Sequence, residues 1–175
     1  MRSIYILLTK SNSYFSRLIH YITADEFTHC SIALDRELKE VYSFGRRYPR
    51  LMWPAGFVKE DVRSGLFKWG EENDCCLYEL IVTDDAYIKI EEELKLMSED
   101  PNRYQYNLLG TLFCKINYEY KRKDKYFCSE FVGELLIKAD ALELPKSPSF
   151  IRPVDFCELE ELTLLYKGEL KHCIQ

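Results

Sequence analysis

Phe127-Cys128-Ser129-Glu130-Phe131-Val132-Gly133-Glu134-Leu135-Leu136-Ile137-Lys138-Ala139 is the most strongly helical stretch of the chain. It decides the fold because of where its cysteine stands. At about 100° per residue, Phe131, Val132, Leu135 and Ala139 all fall within about 60° of the direction of Cys128. The cysteine therefore belongs to the apolar stripe and faces inward, toward a sheet. It also lies in the first turn, where unpaired backbone N–H groups and the positive end of the helix dipole stabilise a thiolate and can bind an oxyanion. An inward-facing cysteine on a helix is ordinarily inert packing, so chemistry at Cys128 requires a partner.

The partner is sought in Phe27-Thr28-His29-Cys30-Ser31-Ile32-Ala33-Leu34, which is rich in strand formers. Period-two alternation puts His29, Ser31 and Ala33 on one face and Cys30, Ile32 and Leu34 on the other. Small neighbours leave room beside the imidazole. A helix packed over that face brings a thiol within reach of His29, which then serves as general base and later protonates a leaving group. His20 falls in a helical pattern and His172 in the terminal tail, and neither is given a role.

Around these two segments the chain alternates short strands and helices without regular βαβ repetition, which predicts an α+β fold. Residues 3–9 read as a buried strand and 11–13 as a turn. A helix is expected over 14–22, and the strand 40–44 completes a hairpin with 27–34. Pro49, Pro54, Gly56, Gly65 and Gly70 break residues 46–70, so this region is expected to form long aromatic loops with short strands. Further strands are expected at 76–83 and 162–166. Helices are expected at 84–97, 104–116, 127–142 and 154–161, with a charged loop over 121–125.

At 175 residues the chain is read as a single domain spanning residues 1–175. Its 24 basic and 29 acidic residues give a net charge of −5, with no long block of one sign, so no nucleic-acid footprint is expected. The apolar run near the N-terminus is too short for an export signal or a membrane span, which predicts a cytoplasmic protein without stable membrane insertion. Seven cysteines lack paired C-x-x-C spacing, and the three histidines lack H-x-x-x-H spacing. Reduced thiols, no metal and no cofactor are therefore expected.

The segments Thr28–Leu34, Val41-Tyr42-Ser43-Phe44-Gly45, Tyr106-Asn107-Leu108-Leu109-Gly110 and Phe127-Cys128-Ser129-Glu130-Phe131-Val132, together with Arg152-Pro153-Val154-Asp155, resemble the circularly permuted NlpC/P60 families. These include the YiiX-like hydrolases and, more distantly, the lecithin retinol acyltransferase group. In them the histidine strand precedes the cysteine helix, as it does here. The resemblance implies a permuted papain-like fold, with an antiparallel sheet packed against the helix of a nucleophilic Cys128 and with His29 as base. It further implies a polar third residue on the strand after the histidine. Ser43 fits the family spacing, whereas Glu40 is the stronger orienting group chemically. Tyr106 is expected, by the same analogy, to add a hydroxyl to the site.

The expected activity is cleavage of an amide, isopeptide or (thio)ester bond in a peptide-like or acyl small molecule, through an acyl-thioester on Cys128. Lipid acyl transfer of the lecithin retinol acyltransferase kind is an alternative. A binding module that uses Cys128 only for packing is another. The oligomeric state is left open.

Overall fold

The structure is a computed structural model and describes residues 1–10, 25–48, 51, 53–62 and 74–173. The expected turn at 11–13 and helix at 14–22 lie outside the described residues. Eight strands form one sheet: β1 (Arg2–Thr9), β2 (His29–Ala33), β3 (Val41–Arg46), β4 (Ala55–Glu60), β5 (Asp74–Val82), β6 (Gln105–Tyr106), β7 (Lys125–Tyr126) and β8 (Thr163–Glu169). Their spatial order is β7-β6-β4-β3-β2-β1-β5-β8. Every pairing is antiparallel except the short β6–β7 contact. Among the described residues the α-helices are α1 (Asp84–Glu99), α2 (Leu108–Lys115), α3 (Cys128–Lys138) and the single turn α4 (Leu170–Cys173). The molecule is thus α+β, with a mixed and largely antiparallel sheet.

Alternation along the strands creates two apolar layers. Ile4, Ile6 and Leu8 of β1, Cys30 and Ile32 of β2, Tyr42 and Phe44 of β3 and Phe57 of β4 share one core with α1 and α3. Tyr5, Leu7, Ala33, Val41, Cys75 and Leu77 point the other way and are partly capped by Leu170 of α4. The α3 helix is fixed to the first layer by aromatic contacts, with the Phe131 ring 5.0 Å from Phe44 and 5.9 Å from Phe57 between centroids. Such pairs add roughly 0.5–1.5 kcal/mol beyond the area they bury.

Helix ends follow local chemistry. Thr83 caps α1 by accepting the Ala86 N–H at 3.1 Å, so the cap is one residue earlier than the aspartates that follow it. The Asn107 carbonyl oxygen caps α2 by accepting from the Gly110 N–H at 3.0 Å. At α3 the cap residue is Phe127, which has no side-chain oxygen. Glu130 instead reaches back and accepts the Phe127 N–H at 3.2 Å.

Three sequence expectations need correction. Residues 104–116 split, because Tyr104 to Tyr106 join the sheet edge and Asn107 starts the helix only afterwards. Residues 55–60, placed among loops by their proline and glycine neighbours, form the regular strand β4 against β3. Residues 154–161, expected as a helix, instead form a 3-10 helix over Pro153–Glu158, started by the proline and ended before Leu159.

Candidate active site

His29 opens β2, and its ring lies over Gly45 of β3, where an added Cβ would meet the imidazole at 3.5 Å. The Nε2 atom is 2.6 Å from Oε1 of Glu60, the last residue of β4. Glu60 is held in turn by two hydroxyls: Ser43 Oγ donates to Oε1 at 2.6 Å and Ser31 Oγ donates to Oε2 at 2.8 Å. Both serines are fully buried, so these bonds fix the carboxylate in a dry environment where each counts for more than in water. With Nε2 engaged by Glu60, Nδ1 is the ring nitrogen left for the thiol.

Cys128 stands at the first position of α3, buried, and close enough to His29 for its thiol to help raise the imidazole pKa. The contact is not made in the way that alternation suggested. Phe131 and the rest of the α3 stripe pack on the Cys30 and Ile32 face of the sheet, whereas His29, Ser31 and Ala33 share the opposite face. Sulfur and imidazole meet at the end of β2, where the ring lies over a glycine rather than a side chain.

The electrostatics follow from this packing. Burial pulls the His29 pKa down, but the Glu60 charge, the hydrogen bond with Cys128 and the hydrogen bond with Glu60 together outweigh it and carry the value up to about 10. Burial raises the Glu60 pKa, and the His29 charge with three side-chain hydrogen bonds reverses that, leaving it below the usual carboxylate value. An imidazolium–carboxylate pair is the consistent state of both groups at neutral pH. Tyr106 is buried with its hydroxyl toward Cys128 and Thr111, and burial first, then Cys128, push its pKa well above 10. It remains a neutral O–H donor.

Of the residues singled out from sequence, Cys128, His29 and Tyr106 are brought together. Ser43 is in the same network, but it binds Glu60 rather than the imidazole. Glu40 is not part of it. Its backbone carbonyl closes the turn of the β2–β3 hairpin, at the far end of β2 from His29, and its half-exposed carboxylate accepts from Tyr42 Oη and Lys59 Nζ, both at 2.5 Å. The group that holds the imidazole is Glu60, which sequence reasoning missed. Its signal was the alternation Gly56, Val58, Glu60 against Ala55 and Phe57, obscured by the surrounding breakers.

A small cleft runs beside the sulfur, lined by Phe27, Tyr106, Cys114, Phe127, Cys128 and Arg152 among others. Its enclosed part measures about 20 Å³, room for one water, and its wall beside Cys128 is apolar. Arg152 is held there by Asp25, Nη1 to Oδ1 at 3.0 Å. Among the described residues no group of three His, Cys, Asp or Glu side chains is arranged to hold a metal ion, and no helix is long and apolar enough to cross a membrane.

No protein-family model matches this sequence, and no curated protein does.

Proposed function

We propose that the chain is a cysteine hydrolase of the permuted NlpC/P60 kind, with Cys128 as nucleophile, His29 as acid and base, and Glu60 as the residue that orients His29. One observation carries this: the run of hydrogen bonds from His29 to Glu60 and on to Ser31 and Ser43, with the Cys128 thiol near enough to help raise the His29 pKa. A largely buried imidazole bonded to a buried carboxylate, beside a thiol on a helix N-terminus, is costly to build for packing alone.

In the forward step the thiol proton resides on His29 and the sulfur attacks a carbonyl carbon. The tetrahedral oxyanion is met by first-turn N–H groups of α3, and Tyr106 is a further neutral donor next to the sulfur. Collapse breaks the bond to the leaving amine, alcohol or thiol, which takes the proton from His29, and a thioester is left on Cys128. Acylation removes the charge and the hydrogen bond with which Cys128 raises the His29 pKa. The pKa then falls, so His29 becomes a better base for the incoming water exactly when water must be activated. Hydrolysis returns the proton to the sulfur–imidazole pair and releases an acid.

The test is to expose the purified chain to mixed peptide, thioester and lipid esters and to search by mass spectrometry for a covalent acyl adduct on Cys128. The expected result is an adduct in the wild type, none in Cys128→Ser, and accumulation in Glu60→Gln if water attack is slowed. Alkylation of Cys128 no faster than that of the other thiols, and unchanged in His29→Ala, would instead make the cysteine a packing residue.

A further inference from the structure

The α2 helix is built the wrong way round for a helix that only packs. Its buried positions are Gly110, Thr111 and Cys114, while Leu109 and Leu112 are 45 % and 39 % exposed and Ile116, just past its end, is 68 % exposed. At about 100° per residue those three apolar side chains fall within about 60° of one another, on the side away from the core. Tyr118, 59 % exposed, follows them, and its ring and that of Tyr120 lean on Phe113 at 5.3 and 5.0 Å. An apolar ridge facing water marks an interaction surface.

The ridge is continuous with a basic segment. Residues 115–125 hold five cations, Lys115, Lys121, Arg122, Lys123 and Lys125, against Glu119 and Asp124, in a chain whose net charge is −5. Asp124 is already answered by Arg103, and Lys121 by Glu134. Among the described residues no carboxylate pairs with Lys115, Arg122 or Lys123, all of them exposed. Thr111 and Cys114, on the opposite face of the same helix, line the cleft beside Cys128, so the helix that carries the ridge also walls that cleft.

Leucine, isoleucine and tyrosine beside unpaired lysine and arginine is the chemistry of a surface that meets both acyl chains and anionic headgroups. A second copy of the chain fits less well, because a two-fold interface through this patch would set cations against cations. We propose that the exposed face of α2 and the 115–125 segment dock on an anionic lipid bilayer, with the Cys128 cleft on the other side of the same helix. Only what is delivered to Cys128 rests on the hydrolase reading, since the docking itself needs no chemistry.

The test is co-sedimentation of the full chain with vesicles of phosphatidylcholine alone and of phosphatidylcholine with about a third phosphatidylserine, at low and high salt. Binding is expected only with phosphatidylserine present, and it should weaken in high salt. It should fall about tenfold or more in Leu112→Ser/Ile116→Ser and in Arg122→Glu/Lys123→Glu, whose circular dichroism and melting stay those of the wild type. Cys128→Ser should bind as the wild type does, so a failed hydrolase assay leaves this result standing. No binding to the anionic vesicles, or variants that bind undiminished, overturns the proposal. So does lipid-free dimerisation abolished by Leu112→Ser/Ile116→Ser, which assigns the ridge to a second copy.

Discussion

At the scale of single residues, the site is governed by charge in a dry setting. On the proposed hydrolase reading, removing Cys128 or His29 is expected to reduce turnover by about 10³-fold or more, with a double variant losing little beyond either one. Glu60→Gln keeps the shape but removes the charge that, with the thiol, holds the His29 pKa at about 10. Histidine titration followed by NMR should show that pKa falling toward the ordinary 6.5 in Glu60→Gln, and falling by less in Cys128→Ala, where Glu60 remains. A second buried carboxyl, Glu130, is raised to about 7, first by burial and against the hydrogen bonds from the Phe127 N–H and Ser149. Its ionised form is the costly one, so Glu130→Gln should raise the melting temperature more at about pH 8 than at about pH 5. How far the site could be read from residues alone is clear from these groups. Cys128 and His29 carried local signs, a helix start and an alternating strand, whereas the glutamate that tunes them lies on another strand whose alternation is masked by proline and glycine.

At the scale of elements, β4 is where sequence reading failed and where the architecture is most sensitive. Proline and glycine around it mark breaks in a chain read one residue at a time. Pairing with β3, which no window of sequence displays, makes residues 55–60 a strand regardless. The long apolar strands β1 and β5 and the amphipathic α1 were legible because their patterns are complete within themselves. Gly56 explains one of the breakers. A Cβ there would stand 2.2 Å from the Tyr104 carbonyl oxygen, and 2.8 Å from Arg47, whose guanidinium also binds that carbonyl. Gly56→Ala must push β6 off β4. A loss of about 2 kcal/mol or more in urea unfolding is expected, with faster exchange of the Phe57 amide, which donates to Tyr104. The extension of helix 127–142 fails for a related reason: α3 ends at Lys138, and Asp140 has a positive φ of 55° that terminates it whatever the apolar pattern beyond.

For the whole molecule, the same ionisations set how stability follows pH. His29 binds a proton more tightly folded than unfolded, so its contribution is full below 6.5 and is lost as pH rises through about 10. Glu130 likewise favours the folded state below 4.5 and loses that advantage as pH climbs through about 7. Glu60, held below its ordinary value, works in the opposite sense and contributes above 4.5, a contribution lost as pH falls through its lowered pKa. Stability is therefore expected to peak on the acid side of neutrality, and urea midpoints measured from about pH 4 to 10 should fall less steeply on the alkaline limb in His29→Gln.

The imidazole and its carboxylate come from residues 29 and 60, and the sulfur follows only after β7 in the chain. On the proposed hydrolase reading, a ribosome making this protein releases the base long before the nucleophile, so a chain terminated before α3 carries only half of the proposed machinery. On that reading the nucleophilic thiol is made only after its base, whereas the opposite order of the two segments would expose it first.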